Sequence, residues 1–120
     1  MANPNIINVA NIFGNTSTLA VSTVAANLVA NPAASATLYK INMLTVANIN
    51  TFASAVSVNV QINTSGTLAA IAQNLVVPAN AVLIVLGKDT PLYLTENTSI
   101  QITAGSNNSL TAITSYEQLS

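Results

Sequence analysis

Histidine, cysteine and tryptophan are absent from this 120-residue chain, and charge is nearly so. Lys40, Lys88, Asp89, Glu96 and Glu117 are its charged side chains, 4% of the residues where a globular domain ordinarily carries about 25%. Each shortage excludes something. Without cysteine there are no disulfides, thiolate zinc sites or thiol redox chemistry. Two basic residues leave almost nothing to neutralise a phosphate backbone, so nucleic-acid binding through counterion release is not expected. The longest apolar run, Ala81 to Leu86, falls far short of the ~20 residues of a membrane-spanning helix. The first residues carry neither the basic start nor the continuous apolar stretch of a secretory signal, so none is expected.

What is present is aliphatic and neutral. Apolar residues make up 51% of the chain, with only two Phe and three Tyr among them, so the core has to be built from Ala, Val, Ile and Leu. Asn, Thr and Ser supply the polarity that charge usually supplies. A disordered chain combines low hydrophobicity with high net charge, and this one has neither. The length suits a single domain spanning residues 1–120. Mixed surface charge keeps small domains apart in solution, and its scarcity here points to a surface that meets other subunits.

The hydropathy pattern has a period of two. Val56, Val58, Val60 and Ile62 alternate with Ser57, Asn59, Gln61 and Asn63, which predicts a strand with one face in a core. Asn63-Thr64-Ser65-Gly66-Thr67 then predicts a hairpin into residues 68–77, where Leu68, Ile71 and Leu75 also fit a helical turn. Residues 81–86, apolar on both parities, read as a central strand covered on both faces. Further strands are expected at 37–48, 92–94, 99–104 and 109–118. Upstream, residues 6–13 and 16–28 read as two strands joined around Gly14-Asn15. About eight or nine short strands separated by turn signals, with no convincing helix, predict an all-β fold. The expected form is an antiparallel β-sandwich of jelly-roll or immunoglobulin-like topology.

The residues for chemistry are missing. General acid–base catalysis needs titratable groups in contrasting environments, and those available are scattered carboxylates, lysines and tyrosines. Lys88 and Asp89 sit in a Gly/Thr/Pro turn and Glu96 in another, where such side chains serve the turn or face solvent. Glu117 has Lys40 as a conceivable partner on a neighbouring strand. No nucleotide-cradling glycine motif, nucleophile elbow or metal-ligand spacing occurs, so no enzyme activity, cofactor or metal is expected. Tyr39, Tyr93 and Tyr116 fall on separate strands among core-like residues, which favours core packing with an outward hydroxyl over a sugar-stacking platform. A carbohydrate-binding module is the weaker alternative.

The residues from Pro78 to Glu117 have a recognisable order. Val77-Pro78-Ala79-Asn80-Ala81 leads into Leu86-Gly87-Lys88-Asp89-Thr90-Pro91-Leu92-Tyr93-Leu94-Thr95-Glu96-Asn97, and the chain closes with Ser115-Tyr116-Glu117-Gln118-Leu119. With Thr37-Leu38-Tyr39-Lys40-Ile41-Asn42 as opening strand, this resembles the small all-β virion proteins of tailed bacteriophages, particularly those of cyanobacteria. The resemblance rests on strands and turns over about two-thirds of the chain and transfers no site residues. It implies a capsid decoration (cement) protein on the phage head, often a homotrimer, in contact with the major capsid protein. A tail or neck accessory is the alternative location. The sparse charge and abundant Asn depart from that pattern. Residues 1–15 are expected to form an extended N-terminal arm or added strand, with Ile6, Ile7, Val9, Ile12 and Phe13 as its interface residues.

Overall fold

A computed structural model describes residues 11–49, 55–87, 92–106 and 109–120. Nine strands follow one another: β1 (Ile12–Val21), β2 (Ala26–Asn31), β3 (Leu38–Asn48), β4 (Val56–Thr64), β5 (Thr67–Val77), β6 (Val82–Leu86), β7 (Leu92–Leu94), β8 (Thr98–Ala104) and β9 (Leu110–Leu119). They form two sheets. One has the order β1-β9-β3-β6, with β7 also pairing with β3; the other has the order β2-β8-β4-β5. All ladders are antiparallel. The fold is an antiparallel β-sandwich. Most connections cross from one sheet to the other, the β4–β5 hairpin and the β6–β7 link being the exceptions.

Alternation decides which sequence faces inward. Val56, Val58 and Val60 of β4 meet Ile100, Ile102 and Ala104 of β8 in the core, joined from the facing sheet by Ile41, Leu44, Val46, Leu110 and Ala112. Burying an aliphatic side chain of this size is worth about 1.5–3 kcal/mol relative to leaving it in water. A core of many such pieces needs no large aromatic centre. The aromatic contribution is one stacked pair, Tyr39 and Tyr116, with ring centroids 5.2 Å apart.

Buried polar groups stitch the sheets together. Asn48 on β3 donates its amide to the Val77 carbonyl of β5, 3.0 Å away, joining one sheet to the other. Asn31, at the end of β2, donates to the carbonyls of Thr37 and Leu94 and accepts from the hydroxyls of Ser35 and Thr37. Its four bonds hold the β2–β3 loop against the end of β7. That loop places Ala34 and Ala36 at positive φ (57° and 54°), a strain that such a hub opposes. The β4–β5 hairpin turns on Ser65 and Gly66, with φ of 52° and 94°. Positive φ at both central positions is the two-residue geometry that matches the twist of the flanking strands.

Three expectations change. Gly14-Asn15 is not a turn: β1 runs through it in register with β9, and the reversal falls at Ser22–Ala25, where the Ser22 hydroxyl accepts from the Val24 amide. Nothing in Gly14 requires a turn when a long partner strand lies alongside. Residues 68–77 are strand, with no helical turn, because pairing with β4 overrides the short-range helical spacing. β6 is an edge strand rather than a central one. Its outward Val82 and Ile84 stand 63% and 67% exposed, so apolar residues on both parities here mean an uncovered apolar face.

Candidate interaction surfaces

Three surfaces offer themselves for contact, and each follows from strand parity. On the outer face of the β1-β9-β3-β6 sheet, cross-strand rows bring Thr18, Ile113, Thr45 and Ile84 together, and Ala20, Thr111, Ala47 and Val82 beside them. Next to these rows lies a concavity of ≈ 630 Å³ lined by Lys40, Asn42, Met43, Thr45, Ile84, Gly87 and Glu117. Lys40 and Glu117 are opposite one another in the β3–β9 register. A bulge at Asn42 turns its amide onto the Glu117 carboxylate at 2.9 Å. The face is thus mainly aliphatic and hydroxyl, with opposite charges side by side at one end.

The outer face of the second sheet is mainly amides and hydroxyls on β2, β8 and β4, while β5 adds the exposed Leu68 and Val76. Asn27, Gln101 and Gln61 form one cross-strand row, and Ser99 with Asn63 another. A polar depression of ≈ 270 Å³ lies at the loop end of this face, bordered by Asn27, Asn63, Asn97, Ser99 and Gln101. Asn97 takes φ +59° there and donates to the Ser65 hydroxyl, tying the β7–β8 turn to the β4–β5 hairpin. No aromatic side chain lines the depression.

The third surface is an edge. β1 pairs with β9 over ten consecutive residues without a register shift. Asn11 and Ser120 exchange both backbone hydrogen bonds, at 2.9 and 3.0 Å, so the odd-numbered residues of β1 aim their backbone groups at β9. The N–H and C=O of Ile12, Gly14, Thr16, Thr18 and Ala20 consequently face away from the sheet. Among the described residues no strand pairs with that side. Ile12 and Phe13 begin the strand on its two faces and are 63% and 57% exposed. The other expected interface residues, Ile6, Ile7 and Val9, lie outside the described residues, as does the rest of the 1–10 stretch.

No family model matches the chain, and no curated protein matches it. Weak similarity is found among solved structures. A chain of the cyanophage Pam1 capsid asymmetric unit aligns over 99% of this chain and 91% of its own length, at 14% identity and a TM-score of 0.39. A likeness so slight carries nothing about function.

The tyrosines divide. Tyr39 is buried and Tyr116 half-buried, stacked between the sheets. Burial, and then the neighbouring Tyr39, raise the Tyr116 phenol above its ordinary value of 10.0. Tyr39 keeps its hydroxyl bonded to the Gln118 amide at 2.8 Å, and Gln118 in turn accepts from Asn15 of β1 at 3.1 Å. Tyr93 instead stands 41% exposed, opposite Lys40 on the outer face, so core packing holds for two of the three. They form no common platform. What sequence reasoning missed was the outward pair Val82 and Ile84. Their signal was present as an apolar run, but it does not distinguish a covered strand from an exposed one.

Proposed function

We propose that this chain is a non-enzymatic structural protein of a bacteriophage virion. In this reading it is a capsid decoration (cement) protein that contacts the major capsid protein and its own copies. The observation that carries the reading is the surface: Ile12, Val82 and Ile84 face outward, and Phe13 stands exposed at the start of β1, on a sheet whose exposed polarity is almost wholly hydroxyl and amide. Exposed aliphatic residues without a screen of charge mark surfaces completed by other protein.

Two further features support it. The order β1-β9-β3-β6 over β2-β8-β4-β5, with connections that mostly cross between the sheets, supports reading the sandwich as an eight-stranded jelly roll with β7 added. The jelly roll is an arrangement used by viral capsid domains and also by lectins. The resemblance of residues 78–117 to small phage virion proteins is what points to the particle, and it implies a homotrimer on the head surface. Fold alone does not carry function, so the neutral surface bears the weight.

Quantitative mass spectrometry of purified virions tests the reading. A decoration protein appears in fixed ratio to the major capsid protein, a tail or neck accessory in far fewer copies, and absence from particles ends the proposal. The mass of the isolated assembly tests the trimer. Binding on a glycan array would instead favour the carbohydrate-binding alternative, with the amide-lined depression as the site.

A further inference from the structure

Among the described residues, backbone pairing leaves one sheet edge open in a way the other edges are not. Besides β1, the strands at sheet edges are β2, β5, β6 and the three-residue β7. Each of the longer three carries a bulge. The β2–β8 register shifts between Asn27 and Val29, and the β3–β6 register shifts where Leu44 and Thr45 meet Leu86 and Ile84. β5 carries two extra residues against β4, one between Ala72 and Leu75 and one between Ala70 and Ala72. Bulges, short strands, charge and proline are the devices that keep edges from pairing with other chains. β1, with the sequence IFGNTSTLAV, has none of them.

We propose that β1 is the contact by which two copies of this chain join, edge to edge and antiparallel across a two-fold axis. The inference rests on the self-assembly part of the function proposed above, names the surface it uses, and takes a two-fold dimer in place of the homotrimer that the resemblance implies. The outward-facing backbone groups belong to even-numbered residues, so the register that uses all of them centres on Thr16. It sets Thr16 of one copy opposite Thr16 of the other, Gly14 opposite Thr18 and Ile12 opposite Ala20. Each of these pairs then exchanges two hydrogen bonds, and every outward N–H and C=O from Ile12 to Ala20 is satisfied. In the same register Phe13 lies opposite Leu19, and Asn15 opposite Ser17.

Side-chain chemistry selects a second copy as the occupant. An isologous contact sets each side chain against one from its own strand, and β1 contains no charge to repel its image. Thr–Thr pairs and apolar cross-strand pairs are favourable neighbours in antiparallel sheets. The exposed Phe13 gains the half-buried Leu19 of the other copy, and the exposed Ile12 gains Ala20. The strand is therefore complementary to itself along its whole length.

The chain has no cysteine of its own, so Thr16→Cys gives a direct reading. Under mild oxidation it is expected to give a disulfide-linked dimer on a denaturing gel, since directly opposed residues of an antiparallel pair lie within disulfide reach. Gln73→Cys on the bulged β5 edge is expected to give none. Thr16→Pro removes an outward N–H without touching the β9 ladder, as proline on an edge strand permits. It is expected to halve the mass measured by sedimentation velocity while circular dichroism stays unchanged. Thr18→Lys does the same by charge and serves if the proline variant fails to fold. Folded Thr16→Pro or Thr18→Lys protein with wild-type mass, or equal crosslinking from Gln73→Cys, overturns the proposal. Presence in virions is measured separately, so loss of either reading leaves the other standing.

Discussion

Strands β1 and β5 lie at opposite edges of the sandwich, one in each sheet, and they are built for different ends. β5 is paired with β4 through two bulges, one of them beside Asn74, whose backbone takes φ +52° and whose N–H is held by the Asn59 side chain at 2.7 Å. β1 is paired with β9 in a single unbroken register. Both strands are free of charge. The difference between them is therefore backbone geometry, and it teaches that an edge can be closed to partners by an extra residue as well as by an ion.

The contrast extends to how each strand is tied to the facing sheet. Asn48 holds the end of β5 through the buried Val77 carbonyl. Asn48→Ala leaves that carbonyl without its donor, and the expected loss is about 2–3 kcal/mol in denaturant unfolding. On the other side Ser17 of β1 donates its hydroxyl to the Leu28 carbonyl of β2 at 2.8 Å. This tie is only partly buried, and Ser17→Ala is expected to cost about 1 kcal/mol. Equal losses at the two sites would remove the distinction between a locked edge and a lightly tethered one.

Deleting Asn74 sharpens the comparison. It takes one extra residue out of β5 while the residues on either side keep their partners in β4. Stability is expected to fall by about 1 kcal/mol with the lost hydrogen bond, and light scattering is expected to rise as a straighter edge appears. Unchanged scattering would show that the bulge does not guard the edge.

Alkaline titration probes the β1 end through Tyr116, opposite Asn15 in the β1–β9 register. Tyr116 has its phenol raised above 10.0 by burial and by Tyr39, so the folded state favours the neutral ring more than the unfolded state does. Its contribution is complete below the unfolded value and is lost as pH rises through the folded one. Thermal midpoints should hold up to about pH 10 and decline above it, and Tyr116→Phe should flatten part of that decline. The smallest effect is expected at the β5 edge itself, where Gln73→Lys should change stability by no more than about 0.5 kcal/mol and leave the oligomeric mass as it was.

Much of the fold was legible in advance. The Val56–Ile62 alternation, the Ser65-Gly66 hairpin and the strands expected at 37–48, 99–104 and 109–118, each within a residue of β3, β8 and β9, follow from parity and turn chemistry, both of which are local. The junction at Gly14-Asn15 was misjudged because glycine permits a turn without demanding one, and the long β9 partner decided the matter. β6 was misjudged because its apolar residues on both parities report composition, while coverage depends on which strands arrive beside it. The proposed contact edge was legible only in outline: Ile12 and Phe13 stood out as apolar, but nothing local indicated that the even residues of β1 direct their backbone outward.

By itself the sequence determined an aliphatic β-sandwich with little charge, because side-chain period and turn preference act over a few neighbouring residues. Tertiary structure alone decided the strand order, the position of Lys40 opposite Glu117, the exposure of Val82 and Ile84, and the absence of a bulge in β1. These depend on pairing between residues far apart in the chain. The register in which such strands meet is set by their combined packing, a quantity that no single segment contains.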